Sequence, residues 1–340
     1  MPLILGYAGM NMTLHASGVR GNRTTRAETI RKKNIETPGG GIQFLIDLYH
    51  YNLLDIYKIM RWNVRHKYKF FRINSDIAPH ITNPEFLPPG LAEDYHALVY
   101  DPGVFAGLLA KIGECARRHK IRVTFHPDPF VVINSRDPGI VLRATRDLYF
   151  HSRILELMNA PSASVCILHV GGVYGEKSRA LQRFIDNFNT LPANIKSRIV
   201  LENDETGYNV FDCLRIHKAT GVPIVFDIFH HKCYCNMLAS RGRNDYTETD
   251  VLTKNTKLID IFRMVADTYA NTTIPMKMHL SEQARGASMG THADYVKSIP
   301  RELFTFVNES RGPVYLMIEA KMKELAVEKL RKKYASQGVK

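Results

Sequence analysis

One alternation runs through the whole chain and leaves few folds open: a short apolar run rich in β-branched residues, a polar or Gly/Pro turn, then an amphipathic stretch. The runs are Leu3–Tyr7, Phe70–Ile73, Ile121–Phe125, Val165–Leu168, Arg198–Leu201, Pro223–Phe226, Met276–Leu280 and Val314–Ile318. Short, continuous and bounded by turn residues, they read as parallel strands buried on both faces. Between them, Phe105, Leu108, Leu109, Ile112 and Cys115 fall on one helical stripe, as do Leu181, Phe184, Ile185 and Phe188, and Leu258, Ile261, Phe262 and Val265. Gly221 followed by Pro223 stops another helix. Eight strand–helix units predict an α/β fold, a single (β/α)8 TIM barrel. The rival, a doubly wound open sheet, lacks its Gly-rich phosphate loop.

A chain of 340 residues exceeds the roughly 250 of a plain barrel, and the surplus falls in recognisable places. Residues 8–41 read as a long polar loop and helix start ending in a flexible Gly39–Gly41. Residues 232–254 form a polar segment with Arg241, Arg243 and Lys254, and the chain closes on the basic KLRKKY. The barrel domain is placed at 1–324 and a basic C-terminal helix or tail at 325–340.

The residue at or just past each strand end carries the chemistry. His126 follows the third run, His169 the fourth, Glu202 the fifth and Asp227 the sixth, with His279 inside the seventh and Glu319 after the eighth. In a barrel these positions converge on one rim, where active sites are built. His230 and His231 follow Asp227 within a turn, and His292 lies in the loop after the seventh strand. Mixed imidazole and carboxylate donors suit Mn²⁺, Zn²⁺ or Fe²⁺ rather than Ca²⁺ or Mg²⁺. More donors than one ion needs imply two or three ions, with a carboxylate such as Glu202 able to bridge them, an arrangement suited to phosphodiester hydrolysis. Cys233 and Cys235 lack the pairing of a structural zinc site and read as ordinary thiols. His96, like the other histidines away from strand ends, reads as surface or packing, and Trp62 in RWNVRHKYK as a packing residue.

Charge points the same way. Forty-six Lys and Arg against 33 Asp and Glu leave +13, which favours a polyanionic partner. The segment Arg20 to Lys33, with Arg23, Arg26, Arg31 and Lys32, follows the first strand and is expected to contact DNA from the rim. No apolar run reaches membrane-spanning length, and the N-terminus lacks the pattern of a secretory signal. Five scattered cysteines suggest no disulfide framework and an intracellular, reducing compartment, cytoplasm or nucleus. No membrane contact and no obligate protein partner are expected, and a monomer suffices.

LGYAGMNMTL, FFRINSD, FHPDPF, LHVGGVYGEKSRALQRFIDN, LENDE, VFDIFHH, MKMHLS, GTHADYV and IEAKMKE together resemble the UV damage endonucleases. These are metal-dependent DNA repair enzymes whose TIM barrel is akin to that of the endonuclease IV family. The resemblance runs from residue 4 to residue 324. It implies metal ligation by His126, His169, Glu202, Asp227, His230, His279, His292 and Glu319, with Mn²⁺ the first choice and Glu202 bridging. It also implies that Lys277 corresponds to a lysine that can be carboxylated beside the metals, and that His231 supports them from behind. Tyr7 and Asn11 match positions at a damaged-nucleotide pocket, and Lys177 matches a lysine placed for DNA. Two departures stand out: Asp128-Pro129-Phe130 replaces the Gly-Gln-Tyr that probes the helix in relatives, and Asp76 stands where some have a histidine. Phe130 can still stack on a base.

The implied activity is an excision-repair nick in damaged double-stranded DNA, immediately 5′ to a cyclobutane dimer, a 6-4 photoproduct or an abasic site. Metal-activated water would leave a 3′-hydroxyl and a 5′-phosphate. Glu202, Lys277 and His231 are the expected catalytic group, and Pro129 and Phe130 the expected lesion contacts. The alternatives are an apurinic endonuclease of the endonuclease IV type and a damage-binding protein without catalysis.

Overall fold

A computed structural model describes residues 2–82, 93, 95, 97, 102–240 and 246–340; His96, Arg241 and Arg243 lie outside these. Its strands are β1 (Leu3–Ala8), β2 (Phe70–Arg72), β3 (Arg122–Thr124), β4 (Cys166–His169), β5 (Ile199–Glu202), β6 (Ile224–Asp227), β7 (Lys277–Leu280) and β8 (Val314–Ile318). All pair in parallel, in the order β3-β2-β1-β8-β7-β6-β5-β4. The ring closes at one residue: the Phe125 N–H donates to Val165 O (2.9 Å) and its carbonyl accepts from Ile167 N–H (3.0 Å). The expected barrel is therefore present. In β4, β5 and β6 the strand runs one residue further than the apolar pattern suggests, because His169, Glu202 and Asp227 are the last strand residues rather than the first loop residues.

The outer helices bury the stripes read from the sequence. Phe105, Leu109 and Ile112 lie in Pro102–Arg118, Leu181 and Phe184 in Lys177–Thr190, and Ile261, Phe262 and Val265 in Leu258–Asp267, all in one large core between strands and helices. Gly221 ends Val210–Thr220 with φ 75° and gives its N–H to His217 O. The helix Lys323–Lys333 puts Ala326, Val327 and Leu330 into that same core, so the boundary drawn at 324/325 falls inside an outer helix of the barrel. Trp62 is buried and stacks on His66 at 3.8 Å, a packing role.

The surplus segments are more ordered than their composition suggests. Residues 8–41 contain the turn Met12–His15 and the helix Ala27–Glu36, and Gly40 already begins the helix Gly40–Arg65. The triple glycine is therefore a helix start rather than a flexible joint. A Cβ on Gly40 or Gly41 would lie 2.7 Å from the carbonyl oxygen of Lys33 or Ile30, so only glycine lets the two helices meet there. Arg23 pairs with Asp55, Arg31 with Glu28 and Lys32 with Glu36, which ties much of the basic segment's charge to the fold itself.

The inside of the ring mixes apolar and polar side chains. Ile4, Ala8, Phe70 and Met317 cluster there with Tyr315 against them, and Ile167, Val200 and Val225 share the inward face of β4, β5 and β6 with His169, Glu202 and Asp227. Gly6 makes room for the Phe70 ring, since a Cβ there would lie 2.6 Å from it. Below, Arg122 plugs the strand-entry end, donating to Ala163 O (2.8 Å) and Pro275 O (3.0 Å) with its guanidinium 4.8 Å from the Tyr315 ring centre. Lys277 sits fully buried, its Nζ 5.5 Å from the Phe70 ring centre and without a hydrogen-bond partner among the described residues. Above this lies the rim.

Candidate metal centre

Glu202 is the hub. Buried at the end of β5, it has His126 Nε2 2.9 Å from one carboxylate oxygen and His279 Nδ1 2.8 Å from the other. His230 Nδ1 lies 3.5 Å from Glu202 and 3.8 Å from Asp227, while His279 Nδ1 is also 3.1 Å from Glu319. Three sets of donor atoms lie mutually within 4.8 Å: His126, Glu202 and His279; Glu202, Asp227 and His230; and Asp227, His279 and Glu319. His169 Nε2 is 3.9 Å from Glu202, and His292 Nδ1 is 3.9 Å from Glu319. His292 arrives on a hairpin stapled by its antiparallel bridge to Gln283. All eight expected ligands thus gather at one end of the barrel.

Electrostatics explains why such a cluster suits cations. Burial pushes the Glu202 carboxyl well above the usual range, and the neighbouring Asp227 and Glu319 add to this. Burial also pushes on Glu319, but the Arg72 guanidinium beside it prevails and holds it well below. Burial, with His230 beside it, holds His169 down to about 4, and burial with nearby cations keeps His126 and His279 well below the usual range. These three are neutral imidazoles, the form that binds metals. Burial lowers His230, yet Asp227, Glu202 and Glu319 outweigh it and raise it to about 10. Asp227 Oδ2 is buried with no hydrogen-bond partner among the described residues, although its other oxygen accepts the Phe229 and His230 N–H groups. Three converging carboxylates, neutral imidazoles and an unshared buried oxygen fit divalent cations of the borderline kind.

The supporting residues fix this geometry. Asn203 clamps β6 from β5: its Oδ1 accepts the Asp227 N–H (2.9 Å), its Nδ2 donates to Asp227 O (3.1 Å), and its carbonyl oxygen lies 3.0 Å from His230 Nδ1. An open cleft of about 650 Å³ lies over the cluster, lined among others by Arg72, His126, Asp128, Pro129, His169 and Glu205. Arg72 and Glu205 were missed by a search of strand ends for ligand types. Arg72 ends β2 in register with those ligands, so the same position rule applied to cations would have found it.

Of the remaining expected residues, most are not brought into the cleft. Tyr7 lies on the helix-facing side of β1, donating to Asn63 (2.6 Å) and accepting from Asn11 (3.0 Å), with its ring against Tyr68 and Phe71. Asn11 is buried and caps Met12–His15 through Leu14 N–H. Lys177 is paired with Asp212 and also donates to Tyr234 (3.2 Å). His231 faces the Phe226 ring and lies 3.7 Å from Cys235 Sγ, away from the donor cluster, and burial lowers it to about 4. Asp76 is exposed and outside the cleft lining. Pro129 does line the cleft, and Phe130 beside it stands 65% exposed, a ring held in solvent next to the site.

Fold and rim together define a barrel enzyme with an acid-and-imidazole centre at the strand ends. The chain matches the family described as UV-endonuclease UvdE over residues 3–339. It is 31% identical over 331 residues to a UV DNA damage endonuclease of Bacillus pumilus, covering 96% of this chain and 92% of that one. It is 30% identical over 339 residues to the enzyme of that name from Halalkalibacterium halodurans, covering 98% and 95%. Among solved structures it is similar to SacUVDE, with a TM-score of 0.76, 28% identity and 98% of each chain covered. Endonuclease IV from Thermus thermophilus shares the fold at a TM-score of 0.51 and 12% identity, covering 83% and 94%. The chain belongs to the UV-endonuclease UvdE family and is a DNA endonuclease.

Proposed function

We propose that this endonuclease nicks damaged double-stranded DNA immediately 5′ to UV lesions, leaving a 3′-hydroxyl and a 5′-phosphate. The observation that carries the reading is the gathering of His126, Glu202, Asp227, His230, His279 and Glu319 beneath an open cleft flanked by an exposed aromatic ring. Two or three divalent ions, Mn²⁺ in the first place, would be held by these residues with His169 and His292. Ions bound there lower the pKa of water and neutralise charge on phosphate oxygens. Glu202 offers one oxygen toward His126 and the other toward His279, which suits it to link two sites.

The chain's own groups prepare the rest. Arg72, fixed by Glu319, presents a cation to the cleft wall where a phosphate would lie. Burial, together with Arg72 and Arg122, holds Lys277 well below the usual lysine range, which favours the neutral amine. That is the form able to combine with carbon dioxide and present a carbamate oxygen toward the ligands. Phe130 would stack against the bases at the lesion while Pro129 stiffens its approach, and a dimer that already weakens stacking lowers the cost of extrusion. The described residues contain no helix long and apolar enough to cross a membrane, and the reading needs only a monomer acting where the DNA is.

The test is nicking of duplexes carrying one cyclobutane dimer, one abasic site or no lesion, with Mn²⁺ and with EDTA. Manganese-dependent cutting just 5′ to the dimer is expected, with none on undamaged DNA. Cutting confined to the abasic duplex would assign the chain to the apurinic class instead, and binding without cutting in any metal would make it a damage-binding protein.

A further inference from the structure

The helices Gly40–Arg65 and Pro102–Arg118 pack side by side and both end at the strand-entry side of the barrel, opposite the metal rim. Near their ends they leave a groove of about 490 Å³ lined by Arg61, Arg65, Lys111, Arg118 and His119, with Glu114 the one acid. The first four are exposed, and among the described residues none makes an ion pair or a side-chain hydrogen bond. Three arginines on other outer helices, Arg153, Arg179 and Arg263, pair with an acid three residues away; Arg146, Arg215 and Arg301 stand singly with no acid paired to them among the described residues, and what sets the groove apart is that its four cations lie together. Arg65 and Arg118 complement the negative helix ends. Arg61 and Lys111 lie one and two turns earlier, where that dipole has faded, and four like charges spaced at 61/65 and 111/118 repel one another.

We infer that this groove is a second, lesion-independent binding site for a phosphodiester backbone, taking a DNA segment other than the one in the catalytic cleft. Two rows of cations on adjacent helices face each other across an opening, and guanidinium groups suit phosphate oxygens. The helix Gly40–Arg65 has 26 residues, roughly 39 Å at 1.5 Å per residue, so a short duplex on the rim does not reach its far end. The choice of DNA rests on the chain's being a DNA endonuclease; an acidic polypeptide is the competing occupant.

The experiment uses the full chain with undamaged duplex on beads and a second, labelled undamaged duplex in solution. The protein is expected to capture the label, and the variant combining Arg61→Ala, Arg65→Ala, Lys111→Ala and Arg118→Ala to lose at least about tenfold of that capture. Its slope of log affinity against log salt for the second duplex should fall by roughly 0.9 per lost contact. Nicking of a dimer-bearing duplex, scored separately, should stay unchanged, and circular dichroism and melting establish that the variant folds. Equal capture by the variant, no capture by the native chain, or displacement of the label by polyglutamate but not by competitor duplex would each overturn the inference. A parallel loss of nicking would show instead that groove and rim serve one DNA path.

Discussion

At the scale of single residues, the site depends on side chains that never touch a ligand atom. Asn203 holds both backbone groups of Asp227 with its amide and so sets the entry of the helix that carries His230. Removing that amide leaves the donors chemically intact but free to turn. Asn203→Ala is therefore expected to lower metal affinity roughly 10–100-fold, read by competition with a chelator at a temperature where the metal-free variant is folded, since stranding both backbone groups of Asp227 also lowers its stability. An unchanged chelator titration would show that Asp227 is held by other contacts. The strand-end donors were legible from sequence because a barrel brings six distant strand ends onto one rim. Asn203 was hidden for the same reason: it lies one residue past such a donor, where nothing in composition separates a clamp from an ordinary loop amide. Tyr7 shows the limit in the other direction. Its place in the motif suggested a nucleotide contact, but alternation along β1 turns it toward the helices and its hydroxyl is used within the fold.

At the scale of elements, the basic arm before the long helix shows how charge becomes architecture. Asp55, buried on Gly40–Arg65, receives Arg20 N–H (2.9 Å), the Arg23 guanidinium and Lys58 Nζ (3.0 Å). Burial pushes the Asp55 carboxyl up, but the Arg20 N–H and these two cations outweigh it and hold it below its ordinary 3.8. Its contribution is complete at neutral pH and is lost as pH falls below that value toward the depressed one. Asp55→Asn should cost about 1–2 kcal/mol, since Arg23 and Lys58 remain partly solvated, and should speed tryptic cleavage between Arg20 and Lys33. The native chain should show the same loosening only in acid, read there by hydrogen exchange. Equal cleavage rates at pH 7 would mean that Ile30, buried against the long helix, suffices to hold the arm. Composition suggests a DNA-binding arm; the acids beside its cations lie 32 residues away, as Asp55 does for Arg23, or three and four residues away on the same helix, as Glu28 and Glu36 do, and only the folded chain brings Arg23 to Asp55.

At the scale of the whole molecule, the barrel divides its lumen between packing and chemistry. Carboxylates and imidazoles crowd the strand-exit end and Arg122 closes the other, while Lys277 lies between them in a layer of inward-facing side chains that includes Phe70, Met317, Ile167, Val200 and Val225. The fold as a whole could be read from the alternation of runs and stripes, since strand number and order follow from it. The composition of the lumen could be read only in part: the carboxylate and imidazole donors announce themselves at strand ends, but whether Lys277 and Arg122 face inward depends on strand alternation.

The junction between β3 and β4 has a mechanical consequence. A hoop is as stiff as its weakest joint, and here that joint is the single bridge at Phe125, with His126 next to it on one side and His169 ending the strand on the other. Ions gripped by both histidines would act as a rivet across the gap. Hydrogen exchange at the Phe125 and Ile167 amides should therefore slow on adding Mn²⁺ far more than at Leu316 in the broad β1–β8 pairing. Uniform slowing around the ring would show that the ions tighten the hoop everywhere; selective slowing would mean that loading the centre is also what locks the barrel shut.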